Sequence, residues 1–214
     1  MPRLLLPGVK NSLLWESGCF CLYAQRRRCA GSGVPWGISE SAYGVLDPAM
    51  NYRYKAHGVQ TLGLKRGLDM ELVVSPYSTF LALTVSPERA VRNLRRLEKL
   101  GISGEYGLIE AADFTPGRTG GDSFVPVGCY MAHHLGMSIV ACANALNNDI
   151  MVRRFMSDDE MGAMRELLEE KIPVNVAVIP PRSFAVPERT ERLPGTKWSG
   201  KWDEADRSRP ECAL

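Results

Sequence analysis

Apolar positions along this chain recur mostly at intervals of three and four, the period of a helix, and the punctuation around them is legible. Ser86-Pro87-Glu88 opens RAVRNLRRLEKLG, where Val91, Leu94, Leu97 and Leu100 keep near-helical spacing and Gly101 terminates the run. Ser75-Pro76 repeats the start signal before YSTFLALTV. Asp47-Pro48 pairs an N-cap with proline at the first helical position and predicts a helix closed by Gly58. Ser157-x-x-Glu160 reads as a capping box, with Met161, Met164, Leu167, Leu168 and Ile172 on one face and Pro173 ending it. Residues 12–29, and the Ala-, Gly- and Ser-rich stretch from Gly128 to Leu146, bring the count to about six helices. Alternating patterns are weak and support only a short hairpin near Tyr106 to Phe114. The predicted class is mostly α, with long loops.

Beyond residue 172 the pattern stops. Six of the fourteen prolines fall among the last 42 residues, with many charges and few periodic apolar positions, so residues 173–214 read as a linker or disordered tail. Trp198 and Trp202 within it read as incidental, and residues 1–172 form the folded part. Over all 214 residues, 45% apolar and 23% charged content excludes wholesale disorder. A formal charge of +2 speaks against nucleic acid as the main partner. No run approaches the roughly 18 apolar residues of a membrane span. MPRLLLPG is too short before Pro7 for a signal peptide, so the expectation is a soluble, unexported, cytoplasmic chain.

The six cysteines form no C-x-x-C pair, so a zinc ribbon or thioredoxin-like motif has no support and a reducing compartment fits. Two Gly-rich basic stretches, residues 63–67 and 116–121, match neither phosphate-binding loop pattern. No metal site and no cofactor are expected. The Arg26-Arg27-Arg28 run and the Arg92/Arg95/Arg96/Lys99 group read as solvated faces.

Three stretches carry candidate chemistry. VPWGISESAYGVL, residues 34–46, places Trp36, Ser39, Glu40, Ser41 and Tyr43 between two helix candidates. An aromatic face beside a carboxylate flanked by hydroxyls suits a sugar site; Ser39 and Ser41, donating to Glu40, would keep it ionised. The plain alternative is a polar loop with an N-cap. In EYGLIEAADFTPGR, Glu110 lies between Leu108-Ile109 and Ala111-Ala112, where desolvation would hold it protonated, as a general acid requires. Asp113 and Arg118 either pair with it or bind hydroxyls; otherwise Glu110 points to solvent from a short strand. In YMAHHLGM, adjacent His133 and His134 diverge by about 100° on a helix and cannot make a metal face. One can reach a cleft while the other packs inside.

These motifs in their order closely resemble the glycoamylase-like domain of bacterial cyclic β-1,2-glucan synthases. The series runs from VPWGISESAYGVLDPAMNYRYKAHGVQTLGLKRGL through VVSPYSTFLAL, RNLRRLEKLG and YGLIEAADFTPGR to YMAHHLGMSIVACANAL. The segment is also similar to endo-β-1,2-glucanase domains. The resemblance implies an (α/α)6 toroid, of which residues 1–172 supply the C-terminal half, about six of twelve helices. It implies a hydrolase or transglycosylase acting on β-1,2-glucan, with Glu40 as nucleophile and Glu110 as acid/base. Retaining chemistry would set their carboxyls about 5–5.5 Å apart. Trp36, Tyr43, Tyr54, Tyr106, Asp113, His133 and His134 then become candidates to line the glucan groove. Partners implied are the glucan, and a separately encoded first half of the domain or a second copy. The alternative is a truncated, catalytically silent fragment that only binds glucan or protein.

Overall fold

The computed structural model describes residues 1–63 and 65–171. The expected tail, with Trp198 and Trp202, and the helix end at Ile172 and Pro173 lie outside the described residues. In chain order, a 3-10 turn at Pro2–Leu4 leads to α1 (Leu13–Ala30) and then to β1 (Ser41–Leu46), β2 (Tyr52–Lys55) and β3 (Val73–Val74). Next come α2 (Pro76–Leu81), α3 (Pro87–Lys99), β4 (Ser103–Gly104), β5 (Gly107–Leu108) and β6 (Ala111–Asp113). Then follow α4 (Pro116–Thr119), β7 (Val125–Val127), α5 (Ala132–Leu146), α6 (Ile150–Phe155) and α7 (Asp159–Ala163). The expected mostly helical class holds, with three small antiparallel sheets added: β1–β2, β3–β6–β7 and β4–β5.

The helices form where caps and apolar spacing agree. Ser12 accepts from the Trp15 N–H at 3.2 Å and starts α1, and the Leu13 N–H donates to Glu170 O at 2.8 Å, tying the two ends of the described chain. In α3 the apolar positions Ala90, Leu94 and Leu97 turn inward while Arg92, Arg95 and Glu98 face solvent. Ala90 and Leu97 lose all exposure, and they join Leu22 and Cys29 of α1, Ala112 of β6 and Ala141 of α5 in one core. Asn93 on the same face is buried and clamps the chain before β1: it accepts from the Trp36 N–H at 3.1 Å and donates to Trp36 O at 2.7 Å.

Four local expectations are corrected. The segment after Asp47-Pro48 is a hairpin turn, not a helix. Asp47 Oδ1 accepts from the Ala49 and Asn51 N–H groups at 2.8 and 2.9 Å, and Met50 adopts φ 64°. The Asp side chain thus supplies the turn's hydrogen bonds, and Tyr52-Arg53-Tyr54-Lys55 alternates as a strand paired to β1. The expected helix over 128–146 begins only at Ala132, because Val125–Val127 is drawn into the β6 edge. At the C-terminal helix the cap is Asp158, accepting from the Glu160 and Met161 N–H groups, while Ser157 Oγ donates back to Arg154 O. That helix is short, continues as 3-10 turn over Met164–Glu169, and leaves Met164 and Leu167 exposed. The expected hairpin near 106–114 splits: β4 and β5 make it, and β6 goes to the central sheet.

Candidate active site

The stretch from Trp36 to Leu46 is fixed before any substrate arrives. Gln25 of α1 brackets Ile38, donating to its carbonyl at 2.5 Å and accepting from its N–H at 2.8 Å. The Ser75 N–H donates to Gly37 O at 2.9 Å. Gly37 sits at φ 139°, and a Cβ there would stand 2.9 Å from Ser75 O, so only glycine lets the chain pass. Tyr77, at the start of α2, donates to Glu40 O at 3.0 Å. Glu40 itself is exposed at the entrance to β1.

The expected serine support of Glu40 is not what the side chains do. Ser39 Oγ pairs with the Tyr77 hydroxyl at 2.6 Å, and Ser41 Oγ is buried with no hydrogen-bond partner among the described residues. Glu40 is linked to the second carboxylate through shared surroundings instead. Both Glu40 and Glu110 raise the Tyr54 and Tyr77 hydroxyls, after burial as the larger cause, and the Glu40 charge also reaches His134.

Glu110 is only 4% exposed, and its surroundings are as apolar as its sequence neighbours suggested. Its backbone is pinned by the N–H donating to Cys129 O at 2.9 Å and by Ser75 Oγ donating to its carbonyl at 2.6 Å. Its Oε1 accepts from the Ala42 N–H at 3.2 Å, and His134 Nδ1 stands 2.9 and 3.0 Å from the two carboxyl oxygens. Burial pushes the carboxyl up to about 7, against the Ala42 N–H and the nearby His133. Burial also pushes His134 down to about 4. Both shifts favour neutral partners, so the pair holds a single proton near neutral pH.

Helix α5 presents its adjacent histidines as their spacing implies, with His134 buried and His133 exposed. The Tyr54 hydroxyl joins them, 3.2 Å from His133 Nε2 and 3.3 Å from His134 Nε2. Tyr77 stacks on His134 with ring centroids 3.7 Å apart and planes at 8°. Glu110 and His134 open onto a cavity of about 510 Å³ between α2, the β4–β5 hairpin and α5, with Phe80, Tyr130 and Ile139 on its apolar walls. Tyr106 is 72% exposed at the same cavity, its ring edge-on to Tyr130 at 5.6 Å.

Glu110, His133, His134 and Tyr54 therefore meet, with Tyr106 on the cavity wall and Glu40 within electrostatic reach. Trp36 is not brought there: its ring is 7% exposed and packs in the core. Asp113 and Tyr43 belong to a neighbouring ion cluster. Asp113 is fully buried and accepts from Arg118 Nε at 2.6 Å, Arg118 Nη2 at 3.1 Å, the Thr115 N–H and the Gly44 N–H. Burial pushes its carboxyl up, but these donors outweigh it and hold the group below its usual range. Arg118 and Lys55 also bind Glu71, bringing that carboxyl down to about 2, and both cations lie over the Tyr43 ring at 5.0 and 4.8 Å. Arg118 thus pairs with Asp113 and Glu71, not with Glu110. Tyr77, Lys55 and Glu71 were missed by sequence reasoning. A tyrosine directly after a helix-starting proline is the one faint signal, because a buried hydroxyl needs a partner.

Among the described residues no group of three or more His, Cys, Asp or Glu side chains could hold a metal ion. No described helix is long and apolar enough to cross a membrane.

A buried carboxyl–imidazole pair, flanked by aromatic rings and within electrostatic reach of an exposed carboxylate, is the arrangement expected of a carbohydrate-active domain. Residues 23–159 match the model of the Glycoamylase family, described as "Putative glucoamylase", and the chain belongs to that family. It is 38% identical over 180 residues to the cyclic beta-(1,2)-glucan synthase NdvB of Rhizobium meliloti (strain 1021). The match covers 84% of this chain but only 6% of that protein's length, so the chain corresponds to a small part of its relative.

Proposed function

We propose that this domain acts on β-1,2-glucan as a retaining glycoside hydrolase or transglycosylase, with Glu110 as acid/base and Glu40 as nucleophile. The observation that carries the reading is the buried Glu110–His134 pair facing a cavity, with the charge of the exposed Glu40 reaching His134. Protonated Glu110 gives its proton to the glycosidic oxygen as that bond breaks, and Glu40 forms a bond to the anomeric carbon. Ionised Glu110 then takes the proton from the attacking hydroxyl while the Glu40–carbon bond breaks. Attack by water shortens the chain, and attack by a hydroxyl of the same chain closes a ring. A carboxyl near 7 suits both halves of that cycle. Tyr106 and Tyr130 offer faces for pyranose rings, and Tyr54 and His133 offer polar tips for hydroxyls.

The finer architecture belongs to the same proposal: the helices form part of an (α/α)6 toroid. Leu135, Ile139 and Leu146 line one exposed stripe of α5, as a helix with an absent neighbour would. A separately encoded first half of the domain, or a second copy, would cover it. That stripe also favours the second reading, a catalytically silent piece that only binds. Incubation of the purified chain with linear β-1,2-glucan, followed by product mass analysis, decides between them. Products lighter by one water mean cyclisation, and shorter linear products mean hydrolysis. An unchanged substrate mass, with glucan still bound, establishes the silent reading.

A further inference from the structure

Glu110 has a difficulty that its neighbours resolve. Its side chain is 2% exposed, so once substrate fills the cavity the carboxyl has no direct route for proton exchange with bulk water, although turnover itself returns its proton from the attacking hydroxyl. His134 is 4% exposed and cannot supply one alone. Beyond it the hydrogen bonds continue, 3.3 Å to the Tyr54 hydroxyl and 3.2 Å from that hydroxyl to His133, which is exposed. Tyr54 lies on β2, and the two histidines on α5, so only the fold brings the three together.

We propose that His134, Tyr54 and His133 form a hydrogen-bonded proton path linking the buried Glu110 carboxyl to the surface. The inference rests on Glu110 being the acid/base, and these three act through it as positioning residues. In one passage Glu110 O–H gives its proton to His134 Nδ1, and His134 Nε2–H gives its own to the Tyr54 oxygen. Tyr54 O–H then gives its proton to His133 Nε2. One proton leaves Glu110 and one arrives at His133. His134 ends as its other tautomer, and Tyr54 stays neutral throughout. His134 is faced by Glu110, by Tyr77 stacked on it, by Tyr54, by the His133 ring 4.0 Å away, and by the Glu40 charge. Tyr77 hydrogen-bonds to Ser39 and Glu40 O, so its hydroxyl is occupied elsewhere, and among the described side chains around His134 the path continues through Tyr54, itself 39% exposed.

The test is a pH titration of the full chain by NMR, following the Glu110 carboxyl carbon and the ring nitrogens of both histidines. The Glu110 inflection should appear in His134 and His133 alike. In Tyr54→Phe it should persist in His134 and vanish from His133, and kcat on linear β-1,2-glucan should fall at least about tenfold. A His133 curve without the Glu110 inflection in the unaltered chain overturns the path, even if Tyr54→Phe does not fold. So does an active Tyr54→Phe chain with the full rate. A shared inflection in a chain that leaves glucan untouched keeps the path and removes the glucanase reading.

Discussion

Replacing Arg118 with methionine should destabilise the domain by about 3 kcal/mol at neutral pH. Arg118 is 16% exposed and makes two hydrogen bonds to Asp113, one to Glu71 and one to Thr115 Oγ1. Methionine keeps most of the apolar stem but strands Asp113 as a fully buried carboxylate. Removing one partner of a buried pair costs about 3–5 kcal/mol. The lower end applies because Asp113 keeps the Gly44 and Thr115 N–H groups and Glu71 keeps Lys55. The melting temperature should fall by about 6–12 °C for a domain of this size. The pH dependence has a definite sign. In the intact chain the folded pKa of Asp113 is depressed, so its stabilisation is present above its ordinary value of 3.8 and is lost as acid protonates it. Without Arg118, burial dominates and raises that pKa, so the deficit is largest at neutral pH and shrinks towards pH 4. Urea denaturation at pH 7 and pH 4 reads both effects. A loss below about 1 kcal/mol at pH 7, or an equal loss at the two pH values, would refute the stranded-charge reasoning.

Glu110→Gln and Glu40→Gln should each lower glucan turnover at least about hundredfold, with the circular dichroism spectrum unchanged; a variant with the full rate leaves the mechanism. The Glu110–His134 pair binds one proton between pH 4.5 and 6.5 in the folded chain (values about 7 and about 4) and one in the unfolded chain (4.5 and 6.5). Its contribution to stability should therefore be flat in that window, falling above it as Glu110 is forced to ionise and below it as His134 is forced to charge. Subtracting the stability curve of the double variant Glu110→Gln/His134→Asn isolates that shape, and a steep slope inside the window contradicts the single-proton pair. Gly37→Ala should cost about 2 kcal/mol by urea denaturation and displace Glu40, whereas Gly31→Ala, with open space around its Cβ, should cost little. Equal effects would show that the close approach to Ser75 O does not constrain the chain.

α3 was legible because Ser86-Pro87, the three-and-four spacing and Gly101 all point the same way, and local signals of that kind need no partner. Glu110 was legible as a buried acid because its immediate neighbours are apolar and β6 is internal. The hairpin at Asp47 was misread because Asp-Pro starts helices and turns equally well, and only pairing with Tyr52–Lys55 chooses between them. Trp36 and Asp113 show the same limit at the site. A tryptophan beside a catalytic carboxylate in sequence can stack on sugar or fill a core, and here Asn93 and Thr79 hold its backbone inside. Asp113 sits three residues from Glu110, yet alternation along β6 separates their partners, so Arg118 goes to one and His134 to the other.

Sequence alone determined the starts of α1, α2 and α3, the family resemblance and the opposite exposures of His133 and His134, because caps, motif order and helical spacing are local properties. Tertiary structure decided which groups meet. Tyr54 reaches the histidines across 79 and 80 residues of chain, and Ala42 donates to Glu110 across 68. Such contacts depend on how β1, β2 and α5 pack, and the packing is set by burial shared over the whole core, which no short window of sequence contains.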